Sequence, residues 1–323
     1  MLTVLSDDDV ASLLDLDSLL PVVERAFLAQ GRGEVERPDR PHFPVGTGLD
    51  GDEPLGTALT MPAYIHGAQY VATKLASVHE GNESRGLPTV NATIALSDAA
   101  TGLPAAYMAG TRVTNARTGC IGGLAARELA NVDGEIRLGV VGSGTQARWQ
   151  ARAVAAAVDV GEVRVYSRSD AREACAADLR AAGLDATAVD TAEAAVSDAS
   201  VVVTATTSTR PVFDGDALAP GAVVVAVGAY TAEMRELDTR TVERAARLFA
   251  DVPEEAAATG DFPETDAASL IPLSDVFEGR AGRERSDEIL VVASVGSAVL
   301  DAATAEQLLD RAETEGVGTT VSL

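Results

Sequence analysis

Lysine is almost absent from this chain: of its 25 basic residues Lys74 is the single lysine, and the rest are arginine. Cysteine is nearly as scarce. Cys120 and Cys175 are too few for a disulfide framework, and neither has a partner at zinc-ligand spacing, so a reducing cytoplasm is the expectation. Aromatic residues make up only 4% of the chain. No apolar run approaches the roughly 20 residues of a membrane span, and the start, MLTVLSDDDV, is acidic where a signal peptide is basic. His42, His66 and His79 show no metal spacing, and no Ser-His-Asp pattern of a hydrolase is present, so no metal is expected.

Positive charge as a whole is in short supply. Against 25 basic residues stand 49 acidic ones, a net charge of −24, with the acids scattered and not gathered in a tail. Such a surface repels nucleic acid and anionic lipid, which excludes both as partners. Dispersed acids, few aromatics and abundant Ala, Val, Asp and Glu resemble the composition of proteins of salt-loving archaea. At molar salt the Debye length is about 3 Å, so like charges on the surface are largely screened. The lone lysine then has two readings. It is a survivor of drift toward arginine, or it sits where a compact, rotatable ammonium cannot be replaced by a planar guanidinium.

What is present fills two domains. The length of 323 residues and 46% hydrophobic content suit two proper cores. Ser6 followed by three aspartates starts a helix that Val10, Leu13 and Leu14 continue, and Asp17 starts a second one ended by Gly31 and Gly33. From Glu34 to Leu103 prolines punctuate short runs such as ALTM, AQYVATKLASV and TVNATIAL, which read as antiparallel strands. A helix from Thr114 to about Leu129, rich in Gly and Ala, suits close packing. Beyond NVDG the grammar alternates strand and helix, starting with Ile136–Val141 and continuing through Val163–Ser167, Val201–Thr206, Val223–Val227, Leu248–Asp251 and Ile289–Ser294. That alternation makes a parallel sheet covered on both faces. A helix from Ala298 to about Glu313 follows, and VGTTVSL is read as a last strand returning to the first domain.

The first strand of the alternating region ends in a glycine loop, Gly142, Ser143, Gly144, Thr145, Gln146 and Ala147, that opens a helix. In that setting glycines permit a tight turn and close approach to a pyrophosphate, which the free N–H groups of the helix start stabilise. An Asp or Glu at the end of the next strand binds the ribose 2′-hydroxyl of NAD. Here the chain has Ser167, then Arg168 and Arg172. A serine and two arginines suit a 2′-phosphate, so NADP is expected, with NAD possible.

Taken in order, RPDR, MPAY, KLASVHEGNESRGLPTV, DAATGLPAAYM, TRVTNARTG, GGLAARELA, GVVGSGTQA, TATTSTRPVF and VGAYTAEMREL resemble the family of ornithine cyclodeaminase, mu-crystallin and archaeal alanine dehydrogenase. The resemblance implies an α/β protein: a Rossmann-type doubly wound parallel sheet domain at 116–304 and an α+β substrate-binding and dimerisation domain at 1–115, rejoined by 305–323. It implies a homodimer. It puts Lys74 and Arg117 on the residues that grip the substrate carboxylate, with Arg40 as a further basic group. Thr204, Thr206 and Gly228 fall on the cofactor-facing loops, and Thr114, Ser294 and Gly296 are added candidates.

Two departures bear on substrate. The family's cyclodeaminases carry an aspartate where this chain has Tyr230 and a glutamate where it has Leu59. Without them a second ammonium is left unpaired, at high cost if buried, so ornithine is a poor fit. Glu233 or Glu236 either replaces the missing aspartate or is a solvated or capping residue. The expectation is an NAD(P)-dependent oxidoreductase that interconverts a small α-amino acid and its α-keto or α-imino partner, cyclic imines included. In it Lys74 and Arg117 act at the substrate, whose α-carbon faces the nicotinamide. The alternatives are an ornithine cyclodeaminase-type ammonia lyase and a non-catalytic NADPH-binding protein.

Overall fold

Strand-forming runs and helix-forming runs segregate along the chain as the alternation of side chains requires. The computed structural model describes residues 1–131 and 134–322. In chain order the elements are β1 (Leu2–Leu5), α1 (Asp7–Leu13), α2 (Leu16–Gly31), β2 (Val35–Glu36), β3 (His42–Val45), β4 (Gly56–Ile65), β5 (Tyr70–Val78), β6 (Val90–Asp98), β7 (Pro104–Ala109) and α3 (Gly110–Leu129). There follow β8 (Ile136–Val141), α4 (Thr145–Ala157), β9 (Val160–Tyr166), α5 (Ala171–Ala181), β10 (Ala186–Ala188), α6 (Ala192–Val196), β11 (Val201–Thr204) and β12 (Val223–Ala226). The chain closes with α7 (Thr239–Arg244), β13 (Ala245–Ala250), α8 (Pro253–Ala256), β14 (Ile271–Pro272), α9 (Leu273–Phe277), β15 (Ile289–Ala293), α10 (Ala298–Glu315) and β16 (Thr319–Val321).

Two compact units emerge. The first comprises Met1–Asp15, Arg32–Arg117 and Ala298–Leu323, and the second Leu16–Gly31 with Thr118–Ser297. The expected division placed the whole of 1–115 in one domain and rejoined it at 305. In the structure α2 goes with the second unit, where Phe27 meets Phe277 with ring centroids 5.5 Å apart and Gln30 Nε2 donates to the Asp251 carbonyl at 2.8 Å.

The first unit is a sheet in the order β16-β1-β7-β6-β5-β4-β2, with β3 also paired to β4. It is not purely antiparallel as expected. The opening LTVL, too short to carry a visible alternation, forms β1 and runs parallel to β7. Pro62 lies within β4 and does not end it. Thr60 donates its N–H away from β5 to the Pro41 carbonyl, and Pro62, two residues on, turns its nitrogen the same way. There it falls between the stretches that pair β3 and β2, so no ladder bond is lost.

The sheet has two dissimilar faces. On the inner one lie Met61, Ala63, Ala72, Lys74, Ala76, Ile94, Leu96, Ala106 and Met108, all buried, with α10 packed over β4 and β5. The register puts Thr60, Pro62 and Tyr64 of β4, Val71, Thr73 and Leu75 of β5, Thr93 and Ala95 of β6 and Tyr107 of β7 on the opposite face. These four central strands carry no charged residue there.

In the second unit every strand pair is parallel, in the order β10-β9-β8-β11-β12-β15-β13-β14. The direction of winding reverses between β8 and β11, where such sheets bind ligands at the carboxyl ends of their strands. The strands read as unbroken apolar runs, Val201–Val203, Val223–Val225 and Leu290–Val292, all buried, as a sheet covered on both faces demands. Helix α3 starts at Gly110, four residues before the expected Thr114, because β7 runs straight into it. Its glycines allow close packing: a Cβ on Gly123 would lie 2.5 Å from the Ala153 carbonyl oxygen of α4.

Candidate active site

Strand β5 alternates Tyr70, Ala72, Lys74 and Ala76 inward against Val71, Thr73 and Leu75 outward. The chain's one lysine therefore sits on the apolar face, 3% exposed. Helix α3 brings Thr114 and Arg117 to the same place, since residues three apart share a helix face. The residue that joins them is Asp301 of α10, which was not singled out from the sequence. Its Oδ2 accepts from Lys74 Nζ at 2.6 Å and from Arg117 Nη2 at 3.4 Å. Its Oδ1 accepts from Arg117 Nε at 3.0 Å and from the Thr114 hydroxyl at 3.2 Å. Lys74 Nζ also donates to Thr114 Oγ1 at 3.4 Å.

Formal charge decides what this cluster can take up. Two buried cations face one buried carboxylate, which leaves one positive charge in excess. Arg40, half-buried between β2 and β3, adds a further positive influence on Lys74. An uncompensated charge in the interior is costly, so the cluster is set to receive an anion. Arg117 Nη1 is buried and has no hydrogen-bond partner among the described residues, which leaves a charged donor for that anion. Burial pushes the Lys74 ammonium down to a pKa of about 8, helped by Arg117 and Arg40 and opposed by Asp301. Burial acts to raise the Asp301 carboxyl, but Arg117 and Lys74 outweigh it and hold it below its ordinary value.

Leu59, at the position of the missing glutamate, lies on the same face of β4 as Met61, the cross-strand partner of Lys74. It offers no charge to a second amine. His79 lies away from this chemistry: its Nδ1 is 3.2 Å from the Leu55 carbonyl.

The second unit carries the glycine loop at the carboxyl end of β8. Gly142 has φ +123°, and a Cβ there would lie 2.4 Å from the Ala205 carbonyl oxygen, so glycine is required on both counts. Gly144 caps α4 without any side-chain hydrogen bond, and nothing lies within 4 Å of where its Cβ would be. The start of this 13-residue helix therefore carries no side-chain cap, and an anion suits such a helix start. Gly144 and Thr145 are exposed, Gln146 is half-buried, and Ala147 packs inward. Arg148, which the sequence did not mark out, braces the loop through Nη1 on the Ser143 carbonyl at 2.5 Å and Nε on Asp178 at 2.7 Å. These features fit a dinucleotide pyrophosphate.

Other expected cofactor residues divide between open and committed positions. Ser167 directly follows β9 and accepts the Ser143 hydroxyl at 2.9 Å. Arg168 is exposed, with Nη2 3.5 Å from Ser208 Oγ. Arg172 is committed, to Asp190 at 3.2 Å and to the Ser167 carbonyl at 3.3 Å. Thr204 is fully buried and its hydroxyl donates to Glu236, so it holds the loop from within and presents no hydroxyl outward. Thr206 and Gly228 give their N–H groups to the same carboxylate. Ser294 and Gly296 are bound by Asp251, whose Oδ2 accepts from the serine hydroxyl at 2.7 Å and the glycine N–H at 2.8 Å.

The choice left open at Glu233 and Glu236 resolves by burial. Glu233 is exposed, whereas Glu236 is 0% exposed and fully hydrogen-bonded inside the second unit. It is neither a solvated nor a capping residue, nor is its carboxylate free for a substrate amine. Tyr230, at the missing aspartate, is 44% exposed.

Known proteins share this architecture over its whole length. The sequence pattern of the ornithine cyclodeaminase/mu-crystallin family matches residues 2–316. Alanine dehydrogenase of Archaeoglobus fulgidus is 31% identical over 98% of this chain and 97% of its own. The structure of Thermococcus litoralis Δ1-pyrroline-2-carboxylate reductase, in complex with NADH and L-proline, superposes with a TM-score of 0.92 at 32% identity, covering 99% of this chain and 100% of that one. An archaeal alanine dehydrogenase dimer with bound NAD gives 0.90 at 29% identity, covering 99% and 98%. The chain belongs to the ornithine cyclodeaminase/mu-crystallin family.

Proposed function

We propose that this protein is a nicotinamide-dinucleotide-dependent oxidoreductase that interconverts a small α-amino acid and its α-imino or α-keto partner. The observation that carries this reading is the buried Lys74–Asp301–Arg117 cluster with one cation in excess and one guanidinium nitrogen unpartnered. Arg117 binds the substrate carboxylate and fixes its plane, that carboxylate balances the one excess charge of the cluster, and Arg40 adds a further positive influence. The bound dinucleotide supplies or accepts the hydride. Reduction of an imine also places a proton on its nitrogen. Lys74, poised near neutrality by burial, donates that proton in reduction and takes it back in oxidation.

Tyr230 does not single out alanine; with Leu59 it leaves no carboxylate for a second charged amine and so favours a substrate with one charged amine or none, a cyclic imino acid among them. This agrees with the relatives named for alanine and for pyrroline-2-carboxylate. For the cofactor, Ser167 in place of an acid and the exposed Arg168 favour NADP over NAD, although the two solved relatives hold NADH and NAD. A homodimer is supported by the outer face of the first sheet, which carries no charge across β4, β5, β6 and β7 on a chain of net charge −24, and by the relative solved as a dimer. The acidic surface and scarce cysteine support a cytoplasmic protein working at high salt.

The test is to supply NADPH or NADH at high salt with Δ1-pyrroline-2-carboxylate, and separately with pyruvate plus ammonia. Nicotinamide oxidation with either supports the reading. Ammonia released from ornithine without net cofactor change would replace it with the lyase, and cofactor binding without turnover would replace it with a binding protein.

A further inference from the structure

The loops after β11 and β12 are joined by a carboxylate that the chemistry above does not use. Glu236 Oε1 accepts the Thr206 N–H at 2.7 Å, and Oε2 accepts the Gly228 N–H at 2.7 Å and the Thr204 hydroxyl at 2.8 Å. The backbone N–H groups of Glu236 and Leu237 are themselves fixed by Asp261 Oδ1 at 2.6 and 2.7 Å. A Cβ on Gly228 would lie 2.2 Å from the Thr206 carbonyl oxygen, so the two loops are in contact where the carboxylate joins them. No lysine or arginine pairs with Glu236 among the described residues, and the charged group that acts on it is a second carboxylate, Asp261. Burial and that like charge raise the Glu236 carboxyl to about 7.

A buried carboxylate without a cation is an expensive brace, since neutral side chains hold loops at lower cost. Its charge therefore calls for a use. In sheets of this order the pyrophosphate lies at the first glycine loop and the adenosine ribose at the end of the adjacent strand, here β8 and β9. The other half of the dinucleotide then extends toward the ends of β11 and β12, the loops Glu236 holds. The nicotinamide ring is cationic when oxidised and neutral when reduced, so a fixed negative charge in the loops that would receive it discriminates between the two states.

We propose that Glu236 is a positioning residue of the dinucleotide site whose buried negative charge makes the protein bind the oxidised cofactor more tightly, relative to the reduced one, than loop geometry alone would allow. This rests on the dinucleotide reading of the second unit and extends it from which cofactor binds to which redox state is favoured.

The experiment measures dissociation constants of NAD+, NADH, NADP+ and NADPH, by calorimetry and fluorescence at high salt and pH 8, for the full-length protein and for Glu236→Gln. The glutamine is close in shape and keeps an acceptor while removing the charge. Affinity for the oxidised form is expected to fall several-fold more than affinity for the reduced form. An equal loss for both forms would leave Glu236 as a brace only and overturn the inference, while the dinucleotide reading stands. Absence of binding by the unmodified protein would overturn both. Should the glutamine variant fail to fold, the unmodified protein carries the same test. Its preference for the oxidised form is expected to weaken as pH falls from 8 to 6 and Glu236 takes up a proton. Among the described residues Asp261, held by two N–H groups, is the charged group that acts on this carboxylate, and Arg235 acts in turn on Asp261. A preference that stays constant over that range would also overturn the inference.

Discussion

Lys74 Nζ and Asp301 Oδ2 lie 2.6 Å apart, each side chain almost wholly removed from water at 3% and 2% exposed. The pair is shared with Arg117, so the lysine's charge is maintained by a carboxylate already half spent on a guanidinium. Lys74 is thereby fixed in direction and, by burial, brought near neutrality.

Lys74→Arg should show whether an ammonium is needed. A guanidinium in this place keeps the charge but does not give up a proton. Turnover is expected to fall by about 100-fold or more, the scale of general acid catalysis, with the dissociation constant of the amino acid product changed much less. Steady-state rates and a binding titration separate the two.

The rate of imine reduction should depend on pH through the same group. Lys74 has its pKa lowered from 10.5 to about 8, so its donor form is present below pH 8 and is lost above it. Reduction is expected to slow as pH rises through about 8, and oxidation of the amino acid to speed up over the same range. A pH series of initial rates in both directions checks this.

Asp301→Asn removes the charge that supports the protonated lysine. The downward limb of the reduction profile should move below pH 8, because Asp301 is the influence that holds the Lys74 pKa up. Thermal stability should fall as well, since two buried cations are left unpaired, at a cost of about 3–5 kcal/mol. Scanning calorimetry alongside the pH series measures both.

Leu75, 48% exposed on the outer face of the first sheet, tests the assembly. Leu75→Asp puts a charge on a face that has none across its central strands, and light scattering at high salt should show the proposed dimer in the unmodified protein and a monomer in the variant. Leu103→Asp, at a 65% exposed position in the turn before β7, should leave the dimer intact.

Much of this was legible where local pattern is strong. The glycine loop and the alternating strands of the second unit stand on short-range spacing, whereas Lys74 and Arg117 were paired only through the family resemblance, since no local pattern links two residues 43 positions apart. Asp301 was hidden because its partner Arg117 is 184 positions away. The signal was an acid on the buried stripe Asp301, Ala305, Leu308 and Ala312, at helical spacing in α10. Glu236 had no such stripe, since it lies outside any helix or strand and next to the exposed Glu233. Strands β1, β10 and β14 were too short for their own periodicity, and only their pairing partners define them.

The most direct test of the carboxylate site takes whichever imino or keto acid the unmodified protein reduces and compares the corresponding α-amino acid with its amide as inhibitors of that reduction, in the unmodified protein and in Arg117→Lys. The amino acid should inhibit at least tenfold better than its amide in the unmodified protein, and most of that advantage should vanish in the variant, as expected when a charge-assisted hydrogen bond of about 1.5–3 kcal/mol is lost. Equal inhibition by the acid and the amide in the unmodified protein would contradict the assignment of Lys74, Asp301 and Arg117 to the substrate carboxylate.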